Sequence, residues 1–294
     1  MTKKVCHNAA MVRPTFNLIG CGRVGQTLGQ LLSQRVHLQD FYTLSAASRQ
    51  TAQDFMGGGT PRANLSDMQS ADLWLLAVPD TQIGPVAAQL AVLLRNPKRG
   101  QALNPPPIVF HCSGFLSSAV LSPLAELGWA TASLHPVLSF ASPALAIGQF
   151  AGTPCALEGS PAALGTLKPL FEALEARCFE IPPDQKALYH AAAVFSHNFT
   201  VALQGVAQAA WQSAGVPAEW VKPLTQALLQ SAVNNVLALG PQAALTGPAA
   251  RGDQAVLTQQ GQVVQNWDAL SGEAYKIMSA LALRLKSAPT PSGE

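Results

Sequence analysis

The sequence predicts an α/β protein in which a doubly wound parallel sheet comes first and a mainly α-helical region follows. Three observations predict it. Between Thr15 and Cys112, short apolar runs alternate with stretches of helical character. A G-x-G-x-x-G triplet stands directly after the first run and directly before a helical stretch. Beyond Pro183 the strand pattern gives way to apolar blocks of helical period.

The first strand is Phe16-Asn17-Leu18-Ile19, and Gly20-Cys21-Gly22-Arg23-Val24-Gly25 turns from it into a helix over 26–34. In that context each glycine has a task. The first permits a tight turn, the second lets a pyrophosphate approach the backbone, and the third lets helix and strand pack closely. The helix N-terminus supplies N–H donors to the anion. The N-terminal half is therefore read as a Rossmann nucleotide-binding domain, with all six motif residues at the cofactor.

The second strand is read as 41–47, ending at Ala47-Ser48-Arg49, where an Asp or Glu would receive a free ribose 2′-hydroxyl. No acid stands there. Ser48 and Arg49 can instead donate to a 2′-phosphate, which favours NADP over NAD; a solvated loop charge is the alternative for Arg49. Asp40 is placed ahead of this strand, at the wrong end for a ribose. The strand 73–78 runs into Val78, Pro79 and Asp80, and the strand 108–112 into Ser113 and Gly114. Both ends belong to the carboxyl edge of the sheet, so Val78, Pro79 and Asp80 are expected against the nucleotide and Ser113 near the nicotinamide. A plain turn is the alternative for Ser113.

Residues 96–107, rich in Pro, Gly and basic side chains, are expected to form a surface loop. Two further strands, 154–159 and 177–182, flank a helix over 164–176. Helical blocks are then expected over 185–214, 218–239 and 252–286, with a disordered tail from Ser287. The domain division is placed near Gly152: 1–152 binds nucleotide, and 153–294 forms a helical substrate and dimerisation domain.

Composition narrows the function. At 294 residues, 12% charged, 48% hydrophobic and net charge +2, the chain suits a small-molecule enzyme better than a nucleic-acid binder. The five cysteines form no C-x-x-C pair and no zinc spacing, so no metal site or disulfide framework is indicated, and reduced thiols in cytoplasm fit. The N-terminus is basic but has no apolar core of a secretory signal and reads as a loose leader. The charge-free stretches 127–157 and 187–218 contain prolines, histidines and amides that disfavour membrane spans. Apolar helices without charge over 223–250 need cover, and a homodimer would provide it; an alanine-rich monomeric bundle is the alternative.

On the helix opening the second domain, Lys186, His190 and His197 fall within about 40° of one another at helical pitch and share a face. For both histidines a satisfied buried imidazole is the competing reading. Further on, Leu245-Thr246-Gly247-Pro248 breaks the helical region before Arg251 and Asp253. Arg251 either clamps a substrate carboxylate, with Thr246 beside it, or joins Asp253 in pinning the next helix.

The segments GCGRVG, SAASR, LLAVPDTQI, HCSG, SLHPVLSF, YHAAAVFSHNF and LTGPAARGD, in this order over 16–285, resemble the proteins that join a Rossmann-like domain to a DUF2520 domain. The wider relatives are prephenate dehydrogenases, pyrroline-5-carboxylate reductases, ketopantoate reductases and β-hydroxyacid dehydrogenases. The resemblance implies NAD(P) hydride transfer and a dimer-forming helical domain. His135-Pro136 is similar to the His-Pro of prephenate dehydrogenases, whose His works on the substrate hydroxyl. This makes His135 the first catalytic candidate, a neutral imidazole able to take or return a proton. A His that merely fixes the turn is the alternative. Relatives carry a Lys assisting the carbonyl and an Asn positioning substrate on the following helix. Here Lys186-x-x-x-His190 replaces K-x-x-x-N, with Asn198 eight residues after His190.

The leading expectation is an NADP-dependent oxidoreductase acting on a small carbonyl, imine or alcohol in an interdomain cleft. His135, His190, Ser113, Lys186 and Asn198 would serve catalysis, and Arg251 and Thr246 would bind substrate. The alternative from another class is an NADP(H)-binding sensor without turnover.

Overall fold

The computed structural model describes residues 13–95 and 105–288. The expected leader, most of the expected loop over 96–107 and the tail beyond Ala288 lie outside the described residues. The chain divides into two compact units, Met1–Val194 and Phe195–Glu294.

The first unit carries an eight-stranded sheet. In chain order it contains β1 (Thr15–Ile19), α1 (Arg23–Leu32), β2 (His37–Tyr42), α2 (Ala46–Met56), β3 (Thr60–Arg62), β4 (Leu73–Leu76), α3 (Asp80–Leu94) and β5 (Ile108–His111). There follow α4 (Ser122–Ala125), β6 (Ala130–Pro136), α5 (Pro143–Gly148), β7 (Pro154–Gly159), α6 (Pro161–Glu172), β8 (Arg177–Glu180) and α7 (Lys186–Val194). The strand order is β3-β2-β1-β4-β5-β6-β7-β8. All pairs are parallel except β6 with β7. The reversal of winding between β1 and β4 is the switch point where a doubly wound sheet opens a ligand crevice.

Burial on both faces explains the unbroken apolar strands. Leu73, Trp74, Leu75 and Leu76 of β4 are all buried, as are Ile108, Val109, Phe110 and His111 of β5. Phe110, Phe150 and Phe171 stack edge-on or tilted beneath the sheet. Each such ring contributes about 2–3 kcal/mol by leaving water.

Several expectations are corrected here. The second strand begins at His37 and ends at Tyr42, and residues from Ala46 on are helical. Ser45 stops the strand because its hydroxyl caps α2, accepting from Ser48 N at 3.0 Å. Asp40 therefore lies inside β2. It is fully buried, with its carboxylate taken by Arg62 Nε at 2.8 Å and Gln69 N at 2.6 Å. Separately, β7 pairs antiparallel with β6 (Leu134 opposite Leu157) and brings β8 into the same sheet, so the first compact unit runs on to Val194.

The second unit contains α8 (Thr200–Ser213), α9 (Ala218–Ala244), α10 (Gly247–Arg251), α11 (Gln254–Trp267) and α12 (Ala269–Ser287). The block expected over 185–214 is interrupted by a π-helical turn, Phe195–Phe199, where the compact units also part. His197 lies in this π turn and is exposed. The block over 218–239 ends as expected, at a Gly240-Pro241 break with Gly240 at φ 76°. The block over 252–286 is two helices, since Asp268 caps α12 by accepting from Ser271 N at 2.8 Å. Among the described hydrophobic residues of this unit only Val221 and Ala249 are buried in the single chain. No described helix is long and apolar enough to cross a membrane.

Candidate functional site

The carboxyl ends of β1, β4, β5 and β6 lie side by side, and the predicted residues gather along them. At the end of β1, Gly20 has φ 93°, a conformation costly for any residue with a Cβ. A Cβ there would also meet Ala77 C at 2.7 Å and Val78 Cγ1 at 2.8 Å. A Cβ on Gly25 would strike the Gly20 carbonyl and come within 3.2 Å of Ala77 Cβ. Gly22 differs: nothing lies within 4 Å of where its Cβ would stand. Two glycines are thus required by packing, while the middle one leaves open space at the N-cap of α1, which carries no side-chain cap. That is the shape of a cradle for an anion. Cys21 is buried beneath it, its thiol pKa pushed up to about 12 by burial, which leaves it protonated and unreactive.

Ser48 and Arg49 occupy the first turn of α2 rather than a strand end. The hydroxyls of Ser48 and Ser45 are 2.8 Å apart, and Arg49 Nη1 donates to Thr43 O at 3.0 Å. One guanidinium nitrogen holds the turn after β2 while Ser48 stays exposed. Val78, Pro79 and Asp80 form the entry to α3, with Pro79 at its N-cap.

Beyond β5 the chain makes a turn fixed from several sides. Ser113 Oγ donates to Asp80 Oδ2 at 2.8 Å and accepts from Phe115 N at 3.1 Å and Leu116 N at 2.9 Å. All hydrogen-bonding capacity of that hydroxyl is then filled. His111 is fully buried. Its Nδ1 accepts from Ser113 N at 3.1 Å and its Nε2 lies 3.2 Å from Ser117 O, which fixes the hydrogen on Nε2. Burial drives its pKa down to about 4. Glu158 of β7, also buried, accepts from Ser118 N at 2.6 Å and Ser118 Oγ at 2.8 Å.

Lys186 is only 1% exposed, and its ammonium donates to Ser113 O at 2.8 Å and to the Ser133 hydroxyl. Burial lowers its pKa, opposed by the charges of Glu158 and Asp80. One turn on, Tyr189 and His190 face His135 at the end of β6. His135 Nδ1 lies 2.9 Å from Tyr189 Oη, and its ring meets those of Tyr189 and His190 edge-on at centroid distances of 5.6 and 5.8 Å. His190 Nδ1 is buried and has no hydrogen-bond partner among the described residues. Gly114 lies between the imidazoles: a Cβ there would come within 2.5 Å of His190 Nδ1 and 2.9 Å of His135 Nε2. Burial, then Lys186 and His190, lower the His135 pKa to about 4, so the ring is neutral at ordinary pH.

The structure thus brings together His135, His190, Ser113, Lys186 and Asp80 in the first unit. Asn198, Thr246 and Arg251 lie in the second unit and are exposed. Asn198 sits in the π turn, Thr246 at the N-cap of α10 and Arg251 in its last turn. Asp253 caps α11 through Val256 N at 3.4 Å. Sequence reasoning missed Tyr189, Ser133 and Glu158. A signal existed for Glu158, a lone acid in the apolar strand Pro154–Gly159. Tyr189 carried none beyond standing next to His190.

Sheet order and glycine cradle define a Rossmann-type nucleotide-binding architecture with an appended helical region. Residues 4–136 match the family model of the Rossmann-like domain, and residues 153–282 match that of DUF2520, a domain of unknown function. The chain thus carries a Rossmann-like domain followed by a DUF2520 domain. Among solved structures it is similar to a protein from Bacteroides fragilis named as a candidate NADP oxidoreductase (18% identity, 92% and 98% of the two chains, TM-score 0.72). It is also similar to protein TM1727 from Thermotoga maritima (24%, 92% and 98%, 0.69) and to a pyrroline-5-carboxylate reductase from Coxiella burnetii (16%, 94% and 100%, 0.57). At these identities the likeness is one of fold. Comparison with curated proteins finds no match.

Proposed function

We propose that the protein is an oxidoreductase that binds a nicotinamide dinucleotide, NADP in preference to NAD, and acts on a small carbonyl, imine or alcohol. One observation carries the reading: the open cradle at Gly22 and the His135–His190–Gly114 cluster lie on the same carboxyl edge of one sheet. The bound dinucleotide supplies the hydride carrier. Gly20, Gly22 and Gly25, with the amides at the start of α1, hold the pyrophosphate. Ser48 and the free donors of Arg49 receive the 2′-phosphate. Val78 and Pro79 pack beside the nucleotide.

His135 exchanges the proton with the reacting oxygen or nitrogen, and His190 lines the same point from α7. Ser113 and Lys186 act as positioning residues, because their polar groups are engaged with Asp80, Ser133 and the backbone. Asn198, Thr246 and Arg251 remain substrate-binding candidates on sequence grounds. The names of two structural neighbours agree in kind: one is a candidate NADP oxidoreductase, and the other a pyrroline-5-carboxylate reductase.

The test is His135→Asn, assayed by NADPH oxidation with substrates found by screening small carbonyl and imine compounds. NADPH affinity should be unchanged while turnover falls by roughly 10²-fold or more, the scale of a general acid or base. Full activity in the variant would remove His135 from the chemistry.

A further inference from the structure

We infer that Tyr189 is a positioning residue that fixes the hydrogen of His135 on Nε2, so that the imidazole meets its substrate as a hydrogen-bond donor. This rests on the proposed role of His135, but the geometry behind it is separate. The phenol oxygen lies 2.9 Å from Nδ1, close enough for one hydrogen between them. That hydrogen can belong to either partner. If it belongs to Tyr189, the neutral ring keeps its own on Nε2; if it belongs to Nδ1, Nε2 bears a lone pair.

Chemistry decides between them. A phenol O–H is more acidic than the N–H of a neutral imidazole, and an imidazole nitrogen is a stronger base than a phenol oxygen. The favoured bond is therefore O–H···Nδ1. Both groups are neutral around pH 7, the phenol pushed up to about 12 and the imidazole down to about 4, chiefly by burial. No other partner of the Tyr189 hydroxyl occurs among the described residues. The phenol is held in place, since its ring meets Phe179 of β8 at 6.2 Å and His135 at 5.6 Å. The charged and titratable neighbours of the imidazole are Lys186 and His190 on α7 and Asp80 on α3.

The consequence is chemical. With its hydrogen on Nε2, the resting imidazole can donate at that atom but cannot accept there. The group it meets beside Gly114 must be an acceptor, such as a carbonyl oxygen or an imine nitrogen, rather than an alcohol that gives up its proton to the ring. The arrangement suits the unsaturated member of the substrate pair, whose oxygen or nitrogen accepts the hydrogen bond from Nε2. Other enzymes use this device: a neutral imidazole polarises the carbonyl in triosephosphate isomerase. A partner that fixes the catalytic His tautomer is worth orders of magnitude in the serine proteases.

Long-range ¹⁵N–¹H NMR of the histidine-labelled full chain tests this without substrate or cofactor, because protonated and bare ring nitrogens give widely separated ¹⁵N shifts. His135→Asn assigns the signal, and His111, locked with its hydrogen on Nε2 by Ser113 N and Ser117 O, is the internal standard. We expect His135 to match His111, with Nδ1 bare and Nε2 protonated. In Tyr189→Phe, which keeps both ring contacts, both His135 nitrogens should move toward averaged shifts. A protonated Nδ1 in the unmodified protein, or an unchanged pattern in Tyr189→Phe, overturns the inference. Should Tyr189→Phe not fold, the unmodified spectrum still decides. With a reducible substrate in hand, Tyr189→Phe should lower kcat for reduction roughly 10-fold, with NADPH affinity unchanged. If His135→Asn retains full turnover while the tautomer pattern is as expected, the proposed function fails and the tautomer assignment stands.

Discussion

Gly114 shows how one missing methyl group shapes this site. Its Cα fills the space where two imidazoles converge, and any Cβ would press on His190 Nδ1 and His135 Nε2. His135 is held at Nδ1 by Tyr189, so its ring cannot retreat without disturbing that contact. Gly114→Ala is therefore expected to destabilise the fold by about 1–3 kcal/mol, the usual cost of overpacking. It should also lower turnover more than cofactor affinity. Equal stability and full activity in the variant would show that the rings have room. His111 yields a prediction in pH. Its native pKa, depressed to about 4 by burial, lies below the unfolded value of about 6.5. The unfolded chain therefore takes up a proton that the native state refuses. The stability of the buried neutral ring is complete above about pH 6.5 and is lost as pH falls to about 4, by about 3 kcal/mol. Urea midpoints at pH 7 and pH 4.5 should separate less in His111→Asn than in the unmodified protein; identical separation would contradict the assignment.

At the scale of elements, the turn 113–118 is a case of long-range anchoring. Its shape is imposed by Lys186 from α7, Glu158 from β7 and His111 from β5 rather than by its own sequence. Replacing Lys186 by Met removes the donor to Ser113 O and leaves Glu158 without a nearby cation. A loss of about 1–3 kcal/mol in denaturant unfolding is expected, and an unchanged midpoint would refute the anchoring role. These contacts also explain what could be read in the sequence. The glycine cradle was legible because the spacing of its glycines between strand and helix is local, even though Gly20 and Gly25 also press on Ala77 at the end of β4. The strands at 73–76 and 108–111 were legible because burial on both faces leaves continuous apolar runs. The end of β2 was misread because residues 43–47 suit a strand equally well until Ser45 caps α2. Three-residue β3 escaped because Thr60-Pro61-Arg62 has no apolar pattern. Tyr189 and Ser133 escaped because only tertiary pairing, across 54 and 53 residues, gives them partners.

For the whole molecule, the second unit poses the question of cover. Leu237, Leu270, Val263 and Ile277 are 82%, 76%, 63% and 61% exposed in the single chain, while only Val221 and Ala249 are buried among its described hydrophobic residues. Apolar helix surface on this scale is a docking surface by ordinary standards, and a symmetric partner of the same sequence is the simplest cover. Sedimentation should show a homodimer at micromolar concentration, with stability that falls on dilution. A stable monomer would leave those side chains unexplained. The division of labour between the units also accounts for how the chain reads: the sheet unit is rich in local motifs, whereas the helical unit is Ala-rich with few charges and offers little to mark single residues. The proposed NADP binding stands on the cradle and on the Ser48–Arg49 turn after β2. Its most direct test is calorimetric titration of the purified protein with NADPH and NADH. NADPH should bind tighter by roughly tenfold or more, about 1.4 kcal/mol, and Arg49→Asp should narrow or reverse that difference. Equal dissociation constants in the unmodified protein would contradict the NADP preference, and failure to bind either dinucleotide would contradict the account altogether.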